Sequence, residues 1–139
     1  MPDRLECGTH NVPGIAGLSA GISYVKEKGE GVILRKERRF IAEVCRELRK
    51  ISGVRVFCGN DVFLQGGVVS FISDRMSAER IANELNDEKI AVRSGFHCSP
   101  LAHETVGTQE GTVRVSVSDF TEENEINSFL ESVKKILGK

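Results

Sequence analysis

The residues best suited to chemistry crowd into one stretch, AVRSGFHCSPLAHETVGTQEGTVRVSV, residues 91–117. A single thiol, Cys98, stands between His97 and His103, with Arg93 five residues upstream. A cysteine attacks as its thiolate, which nearby positive charge and histidine favour. The pattern admits three roles for Cys98: an incidental thiol, a metal ligand with His97, His103 or Glu104, or a nucleophile. The spacing matches no common structural zinc set, so no metal centre is expected. Residue types alone leave the other two roles open.

Arg114 follows on a segment that alternates strictly, TVRVSV. It is either a solvent-facing strand residue or a clamp for a carboxylate, which the guanidinium fork suits. A third candidate is CGTHN, residues 7–11. Gly8, Thr9 and Asn11 precede a helix, where backbone N–H groups and a hydroxyl can meet an anion. The same residues serve equally well as plain capping chemistry.

These groups need elements to hold them. Ile15, Leu18, Ile22 and Val25 fall on one helical face, which predicts a helix over 13–28, opened by Asn11 and Pro13 and closed by Gly29. Its small residues Gly14, Ala16, Gly17, Ala20 and Gly21 are costly in a helix and suggest close packing on another element. Phe40, Ile41, Val44, Cys45 and Leu48 predict a second helix over 31–51 with a charged outer surface. Short strands are expected at 54–57, 67–72, 89–93 and 112–117. Ser77 should cap a helix over 78–87, with Met76 closing over Ile81. Thr121 should cap a last helix lined by Ile126, Phe129, Leu130, Val133 and Leu137. Residues 94–111 are expected to be a structureless connection of about 18 residues, a length that usually signals function. Few strands and covering helices predict an α/β (α+β) two-layer sandwich with a mostly antiparallel or mixed sheet.

The chain has 139 residues, a formal net charge of −1 and 40% hydrophobic residues, the profile of one globular domain. Its charge points to neither nucleic acid nor anionic lipid. No apolar run approaches the roughly 18 residues of a membrane span, and MPDRLECGTH lacks the apolar core of a signal peptide, so a cytoplasmic protein is expected. The four cysteines are widely spaced, against a disulfide framework or a zinc ribbon. Cys45 reads as a small core residue, Cys58 as a turn residue, and Cys7 has no evident partner.

The segments RLECGTHNVPGIAGLSAGISYV, VRSGFHCSPLAHETVGT and GTVRVSVSDFTEENEI resemble, in this order, the C-terminal part of class V aminotransferase-fold cysteine desulfurases and selenocysteine lyases of the Suf-like group. The most specific element is Arg-x-Gly-x-His-Cys, followed by Gly-Thr-x-Arg. The resemblance implies the small C-terminal domain of a fold-type I enzyme that uses pyridoxal phosphate. It implies that Cys98 takes sulfur from L-cysteine as a persulfide, leaving alanine, and that Arg114 holds the substrate carboxylate, with Arg93 and His97 in supporting roles. Gly8 and Thr9, with Asn11, would reach the cofactor phosphate of a partner subunit in a homodimer. A large cofactor-binding domain, cysteine or selenocysteine as substrate, and a sulfur-acceptor protein serving iron–sulfur cluster assembly are the partners implied.

The chain departs from the family in having no Ser-x-His-Lys cofactor lysine and only a fraction of the family's length. Residues 1–30 would then be a connecting segment and helix, and 31–139 the small domain with its cysteine loop at 94–111. Alone, the chain should bind no cofactor and turn over no cysteine. Two other readings stay open: a stand-alone persulfide carrier or interaction domain, or the small domain of a transaminase-like enzyme in which Cys98 is a bystander.

Overall fold

A computed structural model describes residues 8–59, 61 and 64–138. Cys7 and the centre of the turn after Cys58 lie outside the described residues. The chain divides into two compact units, residues 1–33 and 34–139.

The first unit is built on α1 (Val12–Lys28), opened by Asn11, whose side-chain oxygen accepts from the Gly14 N–H at 3.1 Å. Gly29, at φ 89°, ends it. None of its residues is buried, and Val12, Ile15, Leu18, Ile22 and Val25 are all exposed. Helix α2 (Glu30–Leu48) begins in this unit and continues into the second.

In the second unit β1 (Val54–Phe57), β2 (Val68–Ser73), β3 (Arg93–Gly95) and β4 (Thr112–Ser116) form one sheet in the order β1-β2-β4-β3, antiparallel at every pairing. Alternation along the strands sorts side chains between two faces. Val69, Phe71, Val113 and Val115 point into a single apolar cluster. Phe40, Ile41, Val44 and Leu48 of α2, Ile81 and Leu85 of α3 (Ala78–Asp87), and Ile126, Phe129, Leu130, Val133 and Leu137 of α5 (Glu123–Leu137) complete that cluster. The expected two-layer α/β sandwich is therefore present, with an antiparallel sheet. Fully burying one such Leu, Ile or Phe contributes about 1.5–3 kcal/mol.

Four expectations need correction. The segment 94–111 contains a helix, α4 (Pro100–Val106), started by Pro100 and ended by Gly107 in the left-handed conformation at φ 70°. The expected strand at 89–93 lies instead at 93–95, because Ile90 and Val92 are used as half-buried packing against the core. Thr121 does not cap α5: its hydroxyl accepts from the Ser118 N–H at 3.0 Å, and Glu122 forms a capping box with Glu125. The helix expected to reach 51 ends at Leu48, and residues 49–51 form a turn.

Candidate functional site

The sheet face turned away from the helices carries the charged residues. Register places Arg93, Arg114 and Ser70 side by side across β3, β4 and β2, and pairs Gly95 with Thr112 in the next row. Like charges directly opposite each other on one face destabilise a sheet, by a few tenths to about 1 kcal/mol. The Arg93–Arg114 pair is thus a cost that an anion between the two would relieve. Arg114 Nε is also buried without a hydrogen-bond partner, and such an orphaned donor costs about 1–3 kcal/mol.

Just past β3 the chain reverses in a tight turn, Phe96–Ser99, closed by the Ser99 N–H donating to the Phe96 carbonyl at 2.9 Å. Its two central residues, His97 (φ 50°) and Cys98 (φ 61°), are both left-handed. That conformation costs a non-glycine residue roughly 1–2 kcal/mol, and strain of this kind collects at functional sites. The result is that Cys98 stands exposed at the apex.

His97 is fastened in place. Its Nε2 lies 3.2 Å from both the carbonyl and the hydroxyl of Thr112, itself buried. A neutral ring donating from Nε2 to that carbonyl leaves Nδ1 as a bare acceptor, and Nδ1 is buried without a partner. Burial holds the His97 pKa below its usual value against the Thr112 hydrogen bond, and the charges of Arg114, His103 and Arg93 push the same way. Arg114 and His97 are therefore electrostatic neighbours on one face.

His103 does something else. It is buried in α4, with Nδ1 2.7 Å from the Thr108 hydroxyl and its ring edge-on to Phe96 at 5.3 Å. It braces the turn from below, 6.1 Å from the His97 ring. Nor is a metal arrangement formed: among the described residues no three His, Cys, Asp or Glu side chains gather as a metal set.

Sequence reasoning singled out Cys98, His97 and Arg114. It missed Thr112, the anchor of His97, and the contact between Gly95 and Gly111 beneath the turn. A Cβ added to Gly111 (φ 81°) would meet the backbone of Gly95 at 2.6 Å. Only the repeated Gly-containing ends of the two strands could have signalled that approach. Gly8, Thr9 and Asn11 belong to the first unit, ahead of α1. Thr9 is exposed, while the Asn11 side-chain oxygen is committed to the helix cap.

These features define an α/β domain with an exposed thiol on a strained turn and, on the adjoining strand, an arginine whose Nε is buried without a partner. The sequence profile described as Aminotransferase class-V matches residues 1–129. The chain belongs to the aminotransferase class-V family. It is 35% identical to a protein named "Probable cysteine desulfurase" from Xylella fastidiosa, covering 99% of this chain and 33% of that one. The apo structure of cysteine desulfurase from Thermococcus onnurineus superposes with a TM-score of 0.92 at 32% identity, over 99% of this chain and 34% of that one. The enzyme C-DES, solved with glycine covalently linked to its PLP cofactor, shares the fold at a TM-score of 0.69 and 23% identity, over 92% of this chain and 30% of that one. The chain thus spans about a third of the length of the relatives it matches.

The family implies pyridoxal phosphate, and the residues present fit only part of that chemistry. The unpaired Arg114 suits a substrate carboxylate. The open sheet face carries no lysine among the described residues, so the chain offers no amine there to anchor the cofactor's carbonyl carbon. Lys36, Lys50, Lys134 and Lys135 are paired with Asp119, Glu47 and Glu88.

Proposed function

We propose that this chain is the small domain of a cysteine desulfurase, in which Cys98 removes sulfur from L-cysteine and Arg114 holds that substrate's carboxylate. The observation that carries the reading is the open sheet face, where the unpaired Arg114 Nε and the Cys98 turn meet through His97 and Thr112. Residues 1–30 serve as a connecting segment and helix and 31–139 as the small domain, a division supported by the break after Ile33.

Arg114 binds the carboxylate in a fork and Arg93 adds charge from the neighbouring strand. His97, neutral at physiological pH, holds the turn beside Cys98 in place through Thr112. The Cys98 sulfur attacks the sulfur of cysteine: an S–S bond forms as the substrate's C–S bond breaks. The electron pair leaves on the three-carbon fragment, which takes up a proton and departs as alanine. Pyridoxal phosphate, bound by the whole enzyme, supplies the electron-withdrawing group that makes this cleavage possible. Gly8 and Thr9 offer an N–H and a hydroxyl to the cofactor phosphate of a partner subunit, with Asn11 holding their turn against α1. The Cys98 persulfide, exposed at the apex, is then open to a protein acceptor in the cytoplasm, serving iron–sulfur cluster assembly.

The test uses the chain rejoined to a large domain that carries the cofactor lysine. Cys98→Ser should abolish alanine release from cysteine. Arg114→Ala should lower kcat/KM by roughly ten- to a hundredfold, the worth of a charged hydrogen bond. Undiminished alanine and sulfide release by Cys98→Ser would sink the nucleophile assignment, and unchanged activity with other amino acids only would favour a transaminase-like enzyme.

A further inference from the structure

A second thiol centre lies in the other half of the sheet. Cys58 follows β1 and is half-buried. Arg49, just past the end of α2, directs Nη2 to the Cys58 sulfur at 2.9 Å. Cys45 lies four residues earlier in the chain, is only 5% exposed, and faces the same hollow as Cys58. The three side chains line a cavity of about 130 Å³ together with Ile41, Ala42 and Gln65. A hollow of that size, mostly apolar but reached by Arg49 and Gln65, has room for a small hydrogen-bonding molecule.

We propose that Cys58 and Cys45 form a peroxide-reactive dithiol, a modification site in which Cys58 is oxidised and Cys45 closes a disulfide onto it. This goes beyond sulfur transfer and does not depend on it. The order of roles follows from the surroundings. Arg49 sets a charged donor 2.9 Å from the Cys58 sulfur, the less buried of the two thiols and so the one that meets peroxide first. Burial, and then the hydrogen bond to Cys58, push the Cys45 pKa up to about 12, so Cys45 keeps its proton.

The Cys58 sulfur attacks one oxygen of hydrogen peroxide and gives up its proton. An S–O bond forms, the O–O bond breaks, and hydroxide leaves to become water on taking up a proton. Cys45 sulfur then attacks the resulting sulfenic sulfur. An S–S bond forms, the S–O bond breaks, and the departing hydroxide takes the Cys45 proton as a second water. Two thiols are oxidised and one peroxide is reduced to two waters. The bridge would tie α2 to the end of β1.

The experiment uses the full chain carrying Cys98→Ser, which removes the exposed turn thiol. It is treated with equimolar hydrogen peroxide, and its peptides are mapped by mass without reduction. The expected product joins the peptides containing Cys45 and Cys58, two hydrogens lighter, and dithiothreitol restores both thiols. Adding Arg49→Gln should slow the oxidation of Cys58 roughly tenfold, the lower end of what a charged hydrogen bond confers. Cys45→Ala should accumulate a dimedone-reactive sulfenic acid at Cys58; the mapping and the rate stand even if that variant fails to fold. The proposal is overturned if Cys45 and Cys58 stay reduced, if Cys58 bridges to a different cysteine, or if it over-oxidises with Cys45 untouched. An Arg49→Gln rate equal to the parent's would overturn the part given to the arginine.

Discussion

Replacing Gly111 by alanine should damage the cysteine turn's foundation more than its size suggests. Gly111 sits at φ 81°, where an L side chain costs roughly 1–2 kcal/mol. The added methyl would also lie 2.6 Å from the Gly95 carbonyl carbon and 2.7 Å from its Cα, well inside contact distance. Both groups are backbone, so neither can swing aside, and β3 must lift from β4. Crowding of this kind costs a further 1–3 kcal/mol or so. The lower entropy of an alanine-containing unfolded chain returns about 0.4–1 kcal/mol. The net expectation is a loss of about 3 kcal/mol, read by urea unfolding monitored by circular dichroism. In a domain of this size that lowers Tm by roughly 10 °C or more. Gly107→Ala is the control. Gly107 has a similar φ of 70° but nothing within 4 Å of an added Cβ, so it should lose only about 1 kcal/mol. If the two variants lose equal stability, the close approach of Gly95 and Gly111 does not hold β3 in place, and the account of the turn's support is wrong.

Other outcomes follow from the same structure. His97 has a folded pKa below its ordinary 6.5, chiefly through burial. The unfolded chain therefore binds a proton first as pH falls, and stability present above about 6.5 is lost on acidification; urea unfolding from pH 7.5 down to 5 should show that slope flattened in His97→Asn. Glu47 is held at about 2 by Lys50 first, then Lys134, with Arg46 assisting. Its contribution is present above the unfolded value of about 4.5 and disappears as pH falls towards 2, so Glu47→Gln should flatten acid unfolding over that range, and salt should weaken the effect. The exposed stripe of α1 predicts self-association of the chain, and Leu18→Glu with Ile22→Glu should return it to a monomer by sedimentation velocity.

Long amphipathic elements were legible because burial imposes their period. Phe40, Ile41, Val44, Cys45 and Leu48 marked α2, and Val113 and Val115 marked the inner face of β4. Helix α4 was not legible, because His103 is its one buried residue while Leu101 and Val106 face outward, leaving no apolar period to find. The edge strand was misplaced because Ile90 and Val92 supply the β-like composition, while the ladder is made by Arg93, Ser94 and Gly95 through backbone. In the site, Cys98 and Arg114 stood out by type. Their relation did not, since it depends on a cross-strand register and on a left-handed turn encoded by no glycine at its two central positions. Cys58 looked like a turn residue for the same reason: its neighbours Cys45 and Arg49 come from α2 and the turn that follows it, before β1 begins.

The position of β3 at the rim of the sheet has a consequence for how the molecule breathes. It is three residues long and paired on one side only, to β4. Its detachment forfeits a short ladder, while β2 and β4 stay clamped over the apolar cluster. Arg93 and the Cys98 turn therefore belong to a cooperative unit that opens far below the free energy of global unfolding. Amide protons there should exchange with solvent well ahead of those in β2. The Cys98 sulfur can then be repositioned without disturbing the scaffold that carries Arg114.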